Sequence, residues 1–166
     1  MRSQTQLKRQ IPYRELAEFR YQIRRFLNFS ERAARAAGVE PQQHQALLAI
    51  KAVPGGQKAT VGYLAERLQI EHHSAVELAR RLEAKKLLQR SRNTADRRQV
   101  LLRLTPSGEK LLRRLSETHR SELGIAGPKL LRALETAVRQ ARDATSGRAQ
   151  WPGGRRGRIS KSRKRR

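Results

Sequence analysis

Between residues 61 and 104 the apolar spacing changes once, and that change constrains the fold more than any other feature of the chain. "VGYLAERL", residues 61 to 68, is a short helical stretch that Thr60 can cap. "QIE" follows as a turn. From about 72 to 85, Ala75, Leu78, Ala79 and Leu82 recur at i, i+3, i+4 and i+7, which is one face of a longer helix. Beyond it the helical period stops. "LLQRS" and "QVLLRL" are short, Leu/Val-rich and divided by polar residues, which predicts two antiparallel strands within about 88–104. A helix, a tight turn, a second helix and a hairpin is the order of a winged helix-turn-helix.

The flanks read as helices. Pro12 sits where a first-turn proline is tolerated, and Leu16, Phe19, Ile23, Phe26 and Leu27 follow at steps of three and four up to a stop at Gly38. "EPQQHQALLAIKAV" starts a second helix with Pro41 early, and "PGG" at 54 to 56 ends it. After the hairpin, Thr105 is an N-cap and Pro106 a first helical residue, with Leu111, Leu112, Leu115 and Leu123 continuing the stripe. Gly124 and Gly127 are expected to interrupt that helix, and Pro128 to open a last one carrying Leu130, Leu131, Leu134 and Val138. The expected class is therefore mainly α: a winged helix-turn-helix domain with a two-stranded β-wing and N- and C-terminal dimerisation helices. The expected divisions are a frayed N-terminus at 1–10, a dimerisation helix at 11–38 and the DNA-binding region at 39–104. Dimerisation helices follow at 105–146, and a disordered basic tail at 147–166. The wide apolar stripes on the end helices predict that they pack against a second copy.

Charge narrows the partners. The chain of 166 residues carries 38 Lys and Arg against 14 Asp and Glu, a formal charge of +24. Nine of those cations, and no acid, fall in residues 147–166, yet the remainder is still strongly basic. Such a chain attracts polyanions, nucleic acid first. A membrane surface is disfavoured, because no basic amphipathic helix carries a Trp or Phe belt. The absence of cysteine excludes disulfides, thiolate metal sites and thiol redox sensing. "MRSQTQLKRQ" lacks a signal-peptide core and no apolar run reaches spanning length, so the expected location is cytoplasmic, on the bacterial nucleoid.

In a helix-turn-helix the second helix enters a DNA major groove, with residues near its N-terminus meeting bases and later ones meeting phosphates. Away from Leu78 and Leu82 this helix presents His73, Ser74, Glu77, Arg80 and Arg81, with His72 at its start. Ser74 can donate or accept at a base edge, and His73 can donate. Glu77 either accepts from a cytosine amino group or pairs with Arg80 or Arg81 on its own helix. At the hairpin tip stand Asp96, Arg97 and Arg98. A guanidinium suits the narrow, electronegative minor groove beside a seated helix. Arg98 is expected to insert and Arg97 to touch phosphate or share the insertion. Asp96, which would otherwise repel phosphate, is expected to orient Arg98 by a charge-assisted bond.

"TVGYLAERLQIEHHSAVELARRLEAKKLLQRS" and the wing "ADRRQVLLRLTPSGEKLL", with the flanking helices, resemble the MarR family of bacterial transcription regulators. The resemblance covers roughly residues 12 to 145. Its most specific part is Asp-Arg-Arg followed by an alternating strand and Leu-Thr-Pro-x-Gly. It implies a homodimer on a pseudo-palindromic operator in double-stranded DNA, usually a repressor. It also implies release by a small aromatic or phenolic effector bound between the dimer helices and the DNA-binding lobe. Lys86 stands where the family has glycine, so either Lys86 carries a positive φ or the turn differs. The Gly/Arg/Lys tail lies outside the family pattern.

Other chemistry is disfavoured. His72 and His73 are adjacent, hence about 100° apart around a helix, and neither they nor His44 and His119 fall into a metal-ligand spacing. Ser74 has no strand-to-helix elbow, and "PGG" and "GRRG" lack a phosphate-loop context. No enzyme activity, metal or cofactor is expected. Tyr13, Phe19, Tyr21, Phe26 and Phe29 on the first helix serve the core or dimer, or line an effector pocket. Trp151, in the tail, is assigned no fixed role. Two alternatives share the charge: a nucleoid-associated protein binding DNA without sequence preference, and an RNA-binding accessory factor using the tail.

Overall fold

The computed structural model describes residues 13–94, 96 and 98–146, with side chains described as far as residue 143. The expectations for the frayed start, Pro12, Arg97, Trp151 and the basic tail lie outside these residues. In order, the elements are α1 (Tyr13–Ala36), α2 (Pro41–Lys51), α3 (Val61–Leu68) and α4 (His72–Ala84). They are followed by β1 (Leu88–Arg92), β2 (Val100–Leu104) and α5 (Pro106–Ser146).

Local chemistry sets most boundaries. α1 ends where Gly38 takes a φ of +83°, and the Val39 N–H donates back to the Ala34 carbonyl at 3.1 Å. α2 starts with Pro41 in its first turn while the Glu40 backbone N–H donates to Gln43 Oε1. Thr60 caps α3 by accepting from the Tyr63 N–H at 3.0 Å. The α3–α4 turn is tight because Gln69 adopts the left-handed region, φ 53°, and the Ile70 N–H returns to Ala65. α4 ends in the same way: Lys86, at φ 58°, bears the positive φ, and the Leu87 N–H reaches the Leu82 carbonyl.

The hairpin pairs Leu88 with Leu104 through Arg92 with Val100, antiparallel. Its second strand is also tied inward, since the Leu102 N–H donates to the Ala59 carbonyl at 2.8 Å just before α3. The wing is thus anchored to the helix-turn-helix at its base. Leu47, Leu64, Leu82 and Leu88 are fully buried at the centre of the core, joined by Ala75, Leu78, Ala79, Leu102 and Leu112. All four residues of the α4 stripe are inside, as their spacing predicts.

One expectation is corrected. The C-terminal region is not two helices broken at Gly124 and Gly127; α5 runs unbroken from Pro106 to Ser146 with Pro128 inside it. A proline removes one N–H and restricts the preceding residue chiefly through that residue's Cβ. That residue is Gly127, which has no Cβ. The ring also faces the carbonyl four residues back, a clash that no choice of side chain there relieves. Gly127 therefore eases one of the two conflicts, by lacking a Cβ. α1 packs along α5, and Ala133 and Ala137 are buried in its distal half. This packing compensates for the missing bond.

Candidate nucleic-acid interface

The inner face of α4 is committed to the core, so its other face is free. His72, His73, Glu77, Arg80 and Arg81 are exposed and Ser74 is half-buried. Glu77 takes the intrahelical alternative in the free chain: its Oε1 accepts from the Arg80 guanidinium at 3.0 Å, with both side chains more than half exposed. At that exposure the pair contributes little to stability, and a polyanion can compete for Arg80.

The wing tip differs in detail from its sequence expectation. Asp96 is half-buried, and Asp96 Oδ1 accepts from the backbone N–H of Arg98 at 3.0 Å. Its carbonyl accepts from the Gln99 N–H at 3.0 Å. Among the described residues Asp96 thus shapes the turn that carries Arg98, rather than gripping a guanidinium. The Arg98 side chain is left exposed. Below the tip, buried Asn93 joins the strands: its backbone N–H donates to the Gln99 carbonyl, its Nδ2 to Gln99 Oε1, and it receives Lys58 Nζ at 3.3 Å. Sequence reasoning passed over Asn93, Lys58 and Gln99. The Asn93–Gln99 separation, across a turn with polar residues at both ends, is the one signal that could have suggested a polar lock.

Two further contacts tie α4 to its neighbours. The Glu83 carboxylate accepts from the Arg90 backbone N–H at 3.1 Å and from Arg90 Nε at 2.6 Å, which holds its carboxyl below the usual range. Lys85 Nζ donates to the Gly38 carbonyl at 2.9 Å, joining the end of α4 to the end of α1. A cleft of about 660 Å³ lies beside this second contact, between α1, α2 and α4, lined by Glu31, Arg35, Pro41, Gln43, Leu78 and Arg81 among others.

His44 and His119, which sequence reasoning left apart, meet where α1, α2 and α5 converge. Their rings are 4.7 Å apart and inclined by 31°. His119 Nδ1 lies 2.6 Å from the Leu115 carbonyl, so that nitrogen carries the proton, and Nε2 is 2.7 Å from Ser30 Oγ. Phe26 and Phe29 meet the His119 ring edge-on. Burial pushes the His44 pKa down, and the neighbouring His119 adds to the effect. Among the described residues, no group of three or more His, Cys, Asp or Glu is arranged to hold a metal ion. No helix among them is long and apolar enough to cross a membrane.

Residues 37–99, from the end of α1 to the wing tip, match the family model described as the MarR family. That segment is similar to the MarR family. The MarR match takes in both helices of the helix-turn-helix and the first wing strand, which are the elements bearing the exposed residues above. Solved structures extend the likeness to the flanking helices. A crystallised MarR family transcription regulator superposes with a TM-score of 0.65 at 19% identity, over 84% of this chain and 93% of that one. A mutant of S. aureus MepR bound to an oligodeoxyribonucleotide gives 0.57 at 20% identity, over 85% and 100%. Bordetella bronchiseptica BpsR, whose DNA binding is regulated by 6-hydroxynicotinic acid, gives 0.51 at 24% identity, over 70% and 94%. No curated protein sequence matches the chain. At these identities the structural likeness establishes the fold, a MarR-type winged helix.

Proposed function

We propose that the chain is a sequence-specific, double-stranded DNA-binding transcription regulator that acts as a homodimer on a pseudo-palindromic operator in the bacterial cytoplasm. One observation carries the reading. α4 buries one face completely while the opposite face, rich in His and Arg, stays open beside a wing whose turn presents Arg98. In this reading His72, His73 and Ser74 meet bases, Arg80 and Arg81 meet phosphates, and Arg97 and Arg98 serve the adjacent minor groove. Asp96 acts by holding the tip. The work is binding, with no bond made or broken.

The dimer is supported by apolar side chains left open on the end helices, among them Tyr13, Leu16, Ile125, Leu131 and Leu134. Such surface is unusual on a soluble monomer and fits a second copy. Repression relieved by an aromatic acid is the regulatory form we favour. The cleft beside Leu78 and Arg81 abuts the recognition helix and carries cations as well as acids, and BpsR provides an example of such control.

Selection of fragments from the source genome by the purified protein tests the core reading, with affinities then measured at several salt concentrations. A regulator retains an advantage of about 10³ or more for the selected duplex over a scrambled one. A nucleoid binder driven by charge retains none. An RNA-binding factor loses binding when residues 147–166 are removed, whereas a regulator shows only a shallower salt slope. Sedimentation of the same protein reports the dimer, and titration with hydroxylated aromatic acids reports release.

A further inference from the structure

We infer that Glu83 and Arg90 are a positioning pair that locks the wing to the recognition helix and thereby sets the distance between its base-reading and wing-tip contacts. The inference rests on the duplex-binding reading above.

Glu83 lies in the last turn of α4 and Arg90 is the third residue of β1. Between them the chain reverses through Lys86 at φ 58°. A guanidinium held alone would let the strand pivot while the side chain followed. Here the carboxylate also takes the Arg90 backbone N–H, so the strand itself is tied down. The opposite side of the turn is held separately, by Thr105 Oγ1 donating to the Lys86 carbonyl at 2.6 Å and the Thr105 N–H to the Leu87 carbonyl at 3.2 Å.

The pair is partly open to water, with side-chain exposures of 30% for Arg90 and 37% for Glu83. Water and salt screen it there, so its contribution to folding is small. Its leverage is geometric. A strand advances about 3.3 Å per residue, which puts the tip about 15 Å from Arg90, and a swing of about 10° at the root would carry it about 3 Å. That displacement equals a whole hydrogen-bond length, enough to break contacts at the tip while α4 stays seated.

Removing Glu83 leaves every cation in place, so any loss of specific binding cannot come from lost attraction. Two measurements test the pair. The chain has no cysteine, so spin labels can be placed at Glu66→Cys and Thr94→Cys, the labelled protein being diluted with unlabelled chain. Glu83→Ala is expected to broaden the distance distribution in free protein; an unchanged distribution overturns the clamp. The second measurement is the affinity ratio between the selected duplex and a scrambled one at matched salt. Glu83→Ala is expected to lower that ratio about tenfold, with scrambled-duplex affinity equal or higher. Glu83→Gln, which keeps an acceptor for the Arg90 N–H, is expected to fall between. An unchanged ratio, or parallel losses on both duplexes with a lowered melting temperature, overturns the positioning role. A parent protein that discriminates no duplex at all refutes the duplex reading itself, and the role in reading with it.

Discussion

Gly108→Ala is the substitution whose cost follows most directly from the structure. In an ordinary helix, glycine to alanine gains about 1 kcal/mol. Gly108 sits in the first turn of α5, where an added Cβ would land on the Leu87 carbonyl oxygen and 3.0 Å from its carbon. The obstacle is backbone, so no side chain can swing aside. Relief requires α5 to draw away from the α4–β1 turn. That movement would break the bond from the Thr105 N–H to the Leu87 carbonyl and the bond from Thr105 Oγ1 to the Lys86 carbonyl. Each such bond is worth about 1 kcal/mol. Residual overpacking adds about 1–3 kcal/mol. Against the propensity gain, the net loss is about 2–4 kcal/mol. Urea unfolding followed by circular dichroism measures it. Because the same turn sets the wing root, duplex affinity should fall at concentrations where the variant is still folded. A variant as stable as the parent would refute the close-approach argument, and with it the reason for glycine in "TPSG".

Arg98→Ala should weaken binding to the selected duplex about tenfold or more, with unchanged melting, because the side chain is exposed in free protein; Asp96→Ala should give a smaller loss through a looser turn. Anisotropy titrations at fixed salt check both, and parental affinity for Arg98→Ala removes the wing from the interface. Ser74→Ala should change which sequences are selected more than how tightly the best one binds; uniform weakening on all sequences would assign Ser74 to the backbone. His44 has a native pKa below its ordinary 6.5, so the unfolded chain takes up a proton that the native one refuses. Stability should therefore be complete above about pH 6.5 and fall as the solution is acidified through and below that value, with a shallower fall in His44→Phe. Glu83 and Glu109, held low by Arg90 and Lys51, lose their contributions only at more acid pH, so the difference between the parent and His44→Phe in thermal melts between pH 7.5 and 5.5 reports His44. A parent profile that matches that of His44→Phe over that interval would contradict the burial of His44.

The sequence by itself determined the elements whose instructions are local. A 3.6-residue stripe selects the face of α4 that goes inward. Thr60 and Thr105 announce helix starts, whereas at Lys86 the sequence left two exits open and the structure takes the positive φ. The exposed residues of α4 are legible for the same reason, as the complement of a buried stripe. Only the tertiary structure decided the rest, because the causes lie far apart in the chain. α5 continues through Pro128 with α1 packed alongside it. Gly108 is required by a carbonyl twenty-one residues earlier, and His44 finds His119 only once α2 meets α5. Glu83 looks in the sequence like an ordinary surface acid, and Asp96, marked there as a partner for Arg98, holds that residue's backbone rather than its guanidinium. Folding gives Glu83 the Arg90 N–H to hold, and a contact whose partner comes from another element leaves no periodic trace.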